Sequence, residues 1–179
     1  MKKLFLSATA LGLMLFSMSC NNEGKGGLSA AAQKNLDAQH GIIKCFDTKD
    51  FSKLGDFMTE DFVDHGGEKG DIKGLTNAKA EYEKMMATIE SGKTETIMEM
   101  ANDDYAISWL HFTGTLKADN SSMGMKAGDK YDMKTIELGK FKDGKAVEHW
   151  VFMEPAEVMK MMGSMTPPPA TMSDSLKSK

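Results

Sequence analysis

The chain has 179 residues, with 22 basic and 26 acidic side chains and a formal net charge of −4. Apart from histidine, every basic residue is a lysine, so the planar fork with which arginine recognises phosphate and carboxylate groups is missing. No lysine-rich stretch is interleaved with aromatic residues. We therefore expect no nucleic-acid partner, because binding to the phosphate backbone depends on a basic surface.

The first nineteen residues have the pattern of an export signal. Lys2 and Lys3 precede an apolar run over residues 4–16, which is too short to span a bilayer. Cys20 closes the segment, as the cysteine of a bacterial lipobox does; the alternative is ordinary signal cleavage, which would leave a soluble periplasmic protein. We predict a signal peptide over residues 1–19 and lipidation of Cys20, which would anchor the exported protein to a bacterial membrane on the periplasmic side or at the cell surface.

The rest of the chain divides into a tether, one domain and a tail. Residues 20–27 hold Cys20 and a polar, glycine-containing tether, and residues 165–179 include three consecutive prolines and are expected to be disordered. Residues 28–164 are long enough for one domain. If Cys20 carries lipid, Cys45 has no disulfide partner, and we expect it to be a small buried hydrophobic residue.

Helices are predicted mainly in the first half of the domain. Apolar residues recur at helical spacing after Ser29, whose side chain suits an N-cap. Pro155 suits the first turn of a last short helix. The predicted helices cover residues 30–46, 50–58, 77–90 and 155–162, with an extended segment at residues 61–65.

The second half of the domain alternates apolar and polar residues, which is typical of strands. Asp143 and Gly144 form a tight turn between the last two strands. Helices followed by antiparallel strands predict an α+β fold, with the helices packed on one face of a curved sheet. The predicted strands cover residues 94–101, 105–117, 131–141 and 146–154.

Three segments carry a resemblance to a known family: EDFVDHG at residues 60–66, NDDYAISWLHFTGT at residues 102–115, and FKDGKAVEHWVFMEP at residues 141–155. Their order and spacing resemble the SnoaL-like (polyketide cyclase-like) branch of the NTF2-like superfamily, over residues 28–162. The resemblance implies a cone, in which a strongly bent sheet and the helices enclose an apolar pocket. It also implies a homodimer formed through the sheet.

The resemblance implies candidate catalytic residues. In the family's cyclases a histidine stands at the position of Leu116, and an aspartate on the next strand is the general acid or base. Asp132 is the nearest match to that aspartate, with His65 or His149 assisting. The alternatives are that Asp132 lies solvated at the start of its strand and that His65 bonds only to a loop backbone. Adjacent strand residues point to opposite faces, so Asp64 and His65 are not a simple dyad.

The same comparison predicts which side chains face the pocket. Alternation places Trp109 and His111 on the face opposite the pocket. On the last strand we expect Trp150 to wall the pocket and His149 to lie on the other side of the sheet. The predicted ligand-binding residues are Phe62, Leu110, Phe112, Leu116 and Trp150.

Neither a metal nor a cofactor is expected from the motifs. The four histidines show no H-x-x-x-H or H-E-x-x-H spacing, and no phosphate-binding glycine loop precedes a helix. The chain has 17 methionines, whose thioethers could bind Cu(I) but more commonly serve as adaptable core and pocket lining. We therefore predict that the domain binds a small apolar molecule without turnover. The alternative is a cyclase- or isomerase-type enzyme that uses Asp132 as its general acid or base.

Overall fold

The computed structural model describes residues 27–67, 69–120 and 124–164. Within these ranges, four helices and six strands form the α+β arrangement that the sequence predicts. The helices are α1 (Ala30–Thr48), α2 (Leu54–Phe57), α3 (Leu75–Met86) and α4 (Pro155–Ser164). The strands are β1 (Met58–Asp64), β2 (Ile72–Lys73), β3 (Ile89–Ala101), β4 (Tyr105–Leu116), β5 (Lys130–Lys142) and β6 (Lys145–Met153).

Helix α1 begins and ends at residues suited to those positions. The hydroxyl of Ser29 accepts a hydrogen bond from the N–H of Ala32 at 3.0 Å, which confirms the predicted N-cap. At the other end, Lys49 adopts a left-handed conformation with φ of 55°, and its N–H bonds to the carbonyl of Phe46. Leu36 and Cys45 lie on the buried side of the helix, as predicted for Cys45.

The six strands form one sheet in the order β2-β1-β6-β5-β4-β3. All neighbouring strands are antiparallel except β1 and β6, which run parallel. Helix α1 packs against β3, β4 and β6, and α3 packs against β1 and β2. We call the sheet face that points toward these helices the inner face, and the opposite face the outer face.

The core lies between the helices and the inner face. Phe62 on β1 is completely buried, and Leu54 on α2 is 1% exposed. The ring of Phe46 on α1 contacts Phe51 at a centroid distance of 5.1 Å and Tyr82 at 4.9 Å, so aromatic side chains link α1 and α3.

The element boundaries differ from the predicted ones in three places. Helix α3 ends at Met86 instead of residue 90, because Ile89 already pairs with Leu116 as the first residue of β3. Helix α2 is shorter than predicted. The side chain of Asp50 accepts a hydrogen bond from the N–H of Ser52, and this bond holds the residues before Leu54 in a turn. The two-residue strand β2 was not predicted.

The turn between β5 and β6 has the predicted residues and a consequence for the strand that follows. Asp143 and Gly144 have φ values of 54° and 79°, as a two-residue hairpin turn requires. Phe141 pairs with Ala146, whereas Lys140 pairs with Glu148, so Val147 is an extra residue that forms a bulge in β6. The bulge reverses which residues of β6 face inward beyond it.

Candidate functional site: a buried carboxylate–histidine–carboxylate cluster

Four polar side chains from four elements meet on the inner face. His149 on β6 lies between two carboxylates: its Nε2 is 2.8 Å from Oε2 of Glu137 on β5, and its Nδ1 is 3.3 Å from Oδ1 of Asp64 on β1. The hydroxyl of Tyr82 on α3 donates to Oδ2 of Asp64 at 2.5 Å. We call Asp64, Tyr82, Glu137 and His149 the inner-face cluster.

The strand pairing places these groups together. Asp64 is directly opposite His149 in the parallel pair of β1 and β6. Each carboxylate also accepts a hydrogen bond from a donor outside the cluster. The N–H of Gly66 donates to Asp64 at 2.8 Å, and the hydroxyl of Thr135 donates to Glu137 at 2.5 Å. The cluster is therefore a continuous chain of hydrogen bonds that runs from α3 across β1 and β6 to β5.

The cluster is largely removed from solvent. The side chains of Asp64, Glu137 and His149 are 6%, 14% and 20% exposed. Burial opposes protonation of the ring, but the hydrogen bonds and charges of the two carboxylates outweigh it and raise the pKa of His149 to about 10. His149 is therefore an imidazolium at neutral pH and donates from both nitrogens.

The positive charge of His149 also affects the pKa of Asp64, which in turn affects the pKa of Tyr82. Burial on its own would raise the pKa of Asp64, but the hydrogen bond and charge of His149, aided by Tyr82 and Gly66, hold that pKa below its usual value. Burial and the charge of Asp64 raise the pKa of the Tyr82 phenol, so this hydroxyl stays a donor. With Asp64 ionised and Glu137 bonded to the imidazolium, the cluster can supply a buried carboxylate for proton transfer.

The structure does not place Asp132 in this site, so its geometry does not support the predicted role of Asp132 as general acid or base. Its side chain is 75% exposed and lies on the outer face, where its Oδ1 is 2.8 Å from Nε2 of His111. Even-numbered residues of β5 point outward because Asp132 pairs with Thr113, the neighbour of His111 on the outward-pointing side of β4. The solvated alternative describes Asp132 correctly.

His65 lies outside the inner-face cluster. Its ring stacks on Trp150 with centroids 4.6 Å apart, and it lies between the carboxylates of Asp71, at 3.0 Å, and Glu148, at 3.2 Å. The expectation of opposite directions for Asp64 and His65 is confirmed. The predicted catalytic role of His65 is not supported, because its ring contacts outer-face groups.

The predicted directions of His149 and Trp150 are reversed. Trp150 stacks on His65 on the outer face, and His149 points to the inner face. The physical reason is the bulge at Val147: strict alternation from the buried Ala146 would turn Trp150 inward, and the extra residue turns His149 inward instead. Trp150 is therefore misplaced in the predicted ligand-binding set.

The directions predicted on β4 are confirmed. Leu110 and Leu116 are 1% and 0% exposed on the inner face, and Phe112 shares that face and is partly buried. Trp109 and His111 point outward. Phe62 is completely buried in the core.

Two surface cavities lie near α3. One, of about 360 Å³, lies between the β1–β2 turn and α3, and the other, of about 180 Å³, lies beside the end of α3. Neither is lined by a predicted ligand-binding residue, so an apolar pocket in the cone stays a prediction. Within the described ranges, no three or more His, Cys, Asp or Glu side chains are placed to hold a metal ion.

The family model for the SnoaL-like polyketide cyclases matches residues 36–161, which is most of the chain. The chain belongs to the SnoaL-like polyketide cyclase family. The matched range contains every member of the inner-face cluster, so the cluster belongs to the SnoaL-like domain itself. No curated protein matches the sequence.

Solved structures agree on the SnoaL-like fold. A putative SnoaL-like polyketide cyclase from Jannaschia Sp. CCS1 has a TM-score of 0.63 and 17% identity, over 81% of this chain and 100% of that one. TsrD from Streptomyces laurentii has a TM-score of 0.63 and 15% identity, over 77% and 99% of the two chains. An LEH-like epoxide hydrolase of M.tuberculosis has a TM-score of 0.59 and 10% identity, over 75% and 93%. At these identities the similarity shows the fold alone.

Sequence reasoning missed Glu137, and a signal for it was present. Odd-numbered residues of β5 include Thr135 and Phe141, which are both buried, so an acid at position 137 interrupts an inward-facing row. Such an acid needs a partner in the interior. The resemblance indicates an aspartate on this strand, so Asp132 was predicted in place of Glu137.

Several sequence predictions lie outside the described residues. These are the signal peptide, lipidation of Cys20, most of the tether, and the tail over residues 165–179. Among the described helices, none combines the length and the apolar character needed to cross a membrane.

Proposed function

We propose that this SnoaL-like domain is a cyclase- or isomerase-type enzyme that removes a proton from a small, largely apolar carbonyl compound. The observation that carries the proposal is the buried pairing of Glu137 with His149. Glu137 is the proton acceptor, His149 bonds to it and orients it, and Asp64 balances the charge of the imidazolium. Tyr82 positions Asp64.

Glu137 is the member of the cluster best suited to act on a ligand. Both nitrogens of His149 are already committed to carboxylates, and Asp64 is the most buried of the three charged groups, at 6% exposed. Beside Glu137, Val151 is directly opposite in the β5–β6 pair and is 39% exposed, so the inner face opens to solvent on that side. A ligand that enters past Val151 meets Glu137 first.

The electrostatics of the cluster favour particular substrates. Carboxylates are weak bases in general, and both oxygens of Glu137 already accept hydrogen bonds, from His149 and from Thr135. Glu137 suits a carbon–hydrogen bond that is already acidic, such as one between two carbonyl groups. The substrate is not an anion, because the chain has no arginine and the cluster carries two carboxylates against one imidazolium.

The test is carbon–hydrogen exchange of ethyl benzoylacetate, an apolar compound with a methylene between two carbonyls. Glu137 takes a proton from the methylene to give the enolate, and a deuteron from D₂O returns to the same carbon. We expect the protein to accelerate loss of the methylene proton signal in NMR spectra. Glu137→Gln should lower that acceleration about 100-fold or more, in the range of general base catalysis.

The matched control is Asp132→Asn, which makes the same change of carboxylate to amide on the outer face, where Asp132 is 75% exposed. We expect full exchange activity from this variant. Equal losses in the two variants, or no loss in Glu137→Gln, would contradict the assignment of Glu137.

Binding without turnover is the second candidate, and the observation that favours it is Leu116. An apolar, completely buried side chain stands where the resemblance expects a histidine, so one polar group for a reaction is missing. The same experiment separates the candidates: saturable binding of ethyl benzoylacetate, seen by calorimetry, without accelerated exchange would favour binding alone.

For its protein partner we propose a second copy of this chain, docked through the outer face. Eight apolar residues form two cross-strand rows there, and four of them, Met98, Met100, Ile136 and Phe152, are 40% or more exposed. The first row is Met100, Ile107, Leu138 and Trp150, and the second is Met98, Trp109, Ile136 and Phe152. We call these eight residues the outer-face apolar surface.

The rim of this surface supports a self-complementary contact. On one side His111 pairs with Glu95 and Asp132, and on the other Lys140 pairs with Glu148. The three rim carboxylates are thus each paired within the chain, so a second copy related by a two-fold axis would meet an apolar centre and a rim of paired polar groups.

For localisation we propose export and lipid anchoring at Cys20, on the strength of the signal pattern in residues 1–19. Mass spectrometry of the mature N-terminus tests this. A lipid-modified terminal Cys20 is expected, and an unmodified N-terminus at any position would overturn the proposal.

A further inference from the structure

Ser108 on β4 is a buried hydroxyl with no hydrogen-bond partner. It is 0% exposed, and in the described part of the chain its Oγ is the one buried side-chain polar atom that lacks a partner. Most buried hydroxyls are bonded, because removing a hydroxyl from water without forming a new hydrogen bond is unfavourable. Ala106 and Leu110, its inward-pointing neighbours on the same strand, are apolar.

The position of Ser108 ties it to the proposed site. It is directly opposite Glu137 in the β4–β5 pair, and Glu137 is directly opposite Val151 in the β5–β6 pair. Opposite residues of an antiparallel pair have Cβ atoms about 4.5–5.5 Å apart. The row therefore runs from the half-exposed Val151 through Glu137 to Ser108, one strand deeper in the domain.

Groups already bonded to the Glu137 side chain do not include this hydroxyl. Oε1 of Glu137 accepts from Thr135 and Oε2 from His149. On the strand at its other side, Ser108 pairs with Glu99, whose carboxylate bonds to His40 at 2.7 Å. Glu137 and Glu99 are thus both bonded to groups other than Ser108. The Ser108 hydroxyl lies between them and is available to donate a hydrogen bond to another acceptor.

We propose that Ser108 is a specificity-determining residue whose hydroxyl donates a hydrogen bond to a carbonyl oxygen of the bound substrate. The proposal rests on the function proposed for Glu137. A substrate over Glu137 places its reacting carbon at the carboxylate and one flanking carbonyl toward the next strand. The hydroxyl of Ser108 meets that oxygen and stabilises the negative charge that develops on it when the proton leaves.

The experiment compares Ser108→Ala, Ser108→Cys and Ser91→Ala. Alanine removes the hydroxyl, and cysteine keeps nearly the same volume with only a weak donor. Ser91 is exposed on β3 and controls for loss of a serine hydroxyl elsewhere. For each protein, the thermal midpoint, the Kd for ethyl benzoylacetate by calorimetry, and the rate of its deuterium exchange are measured.

Both Ser108 variants should match or exceed the parent protein in thermal midpoint, since no hydrogen bond is lost. Both should bind ethyl benzoylacetate about 5- to 10-fold more weakly, the size expected for one hydrogen bond. Ser91→Ala should change neither quantity. A lower midpoint for Ser108→Ala, with parent-like binding by Ser108→Cys, would overturn the proposal and show that the serine only fills space.

Failure of this proposal can be told apart from failure of the proposed function. If Glu137→Gln loses exchange while the Ser108 variants bind as the parent does, Glu137 stands and Ser108 is overturned. If the parent binds without catalysing exchange, the base assignment fails and the Kd values alone decide Ser108. If the parent does not bind ethyl benzoylacetate, both proposals are overturned.

Discussion

His149 lies between two carboxylates that reach it from different strands, and its proton is part of the native structure. Nearly all of the favourable interaction depends on that proton, because both ring nitrogens act as donors. Removing one member of such a buried set leaves an uncompensated charge, which typically costs about 3–5 kcal/mol. The cluster therefore links the stability of the domain to pH.

We expect the thermal midpoint to fall as the pH rises from about 7 toward 10. The pKa of His149 is raised to about 10 in the folded protein, so its contribution to stability is fully present below the unfolded pKa of about 6.5 and is lost as the pH passes the folded value. The depressed pKa of Asp64 acts at the other end, where stability is lost in acid below its usual value. Differential scanning calorimetry from acid pH up to about pH 10 measures both effects.

The control for the alkaline effect is a pair of histidine variants. His149→Gln should lower stability at pH 7 and flatten the decline toward pH 10. Partial desolvation opposes protonation of His65, but Asp71 and Glu148 raise its pKa, so His65→Gln should remove only a smaller part of the decline. A decline of unchanged slope in His149→Gln would show that other groups cause it.

At the scale of elements, alternation along strands predicted most directions and failed at one bulge. The hairpin at Asp143 and Gly144, the N-cap at Ser29 and the inward side of β4 follow from local residue preferences. The extra residue at Val147 does not, because its neighbours Ala146 and Glu148 fit an unbroken strand equally well. Because the bulge was not predicted, Trp150 was expected on the inner face in place of His149, and the inner-face cluster was not predicted.

The parallel pairing of β1 with β6 was also not predictable from the sequence. Asp64 and His149 are brought together across 85 positions in the chain, and nothing local to either segment encodes the contact. The resemblance supplied the fold, but it led to Asp132 and away from Glu137. The fold was therefore more predictable than the site, which depends on one register shift and one long-range pairing.

Two glycines of β3 and β4 pack under the ring of Tyr131 on β5, which gives a prediction about this part of the sheet. A Cβ at Gly92 would lie 2.5 Å from the Tyr131 hydroxyl, with its next contacts at 3.7 Å. A Cβ at Gly114 would lie 2.3 Å from that hydroxyl, 2.4 Å from Cζ of the ring and 2.2 Å from the carbonyl oxygen of Ser91. We expect either change to alanine to cost about 1–3 kcal/mol, as overpacking does.

The background variant Tyr131→Phe distinguishes the two glycines. Without the hydroxyl, Gly92→Ala should be nearly neutral in urea unfolding, whereas Gly114→Ala should keep its cost because the ring and the Ser91 carbonyl stay in place. An equal cost for Gly92→Ala in both backgrounds would mean that the Tyr131 contact does not limit this position.

At the scale of the whole molecule, the two faces of the sheet carry different kinds of residue. The inner face carries the charged cluster and the core, and the outer face carries the outer-face apolar surface. Exposed apolar area of this extent on one side of a sheet commonly marks an interaction site. The proposed dimer would cover it and leave the exposed Val151 on the other face free.

We expect sedimentation to show a dimer that Ile136→Lys disrupts. Ile136 lies within the outer-face apolar surface and is 40% exposed, so a lysine there would be buried without a partner on association. Met85→Lys is the matched control, because Met85 is 44% exposed on α3, away from this surface. A monomeric parent protein, or a dimer unaffected by Ile136→Lys, would contradict the proposed interface.

The position of β6 between β1 and β5 also sets the order in which the site can form. During synthesis from the N-terminus, β1 and the β3–β5 meander leave the ribosome before β6 does, and in the described sheet β6 is the strand that pairs with both of them. Glu137 and Asp64 are then two carboxylates awaiting one histidine. Closing so long a loop is slow because of its entropic cost, so the last strand to be made both joins the two parts of the sheet and brings the positive charge that Asp64 and Glu137 share. A nascent chain stalled before His149 would hold an incomplete sheet with two buried carboxylates that lack this charge.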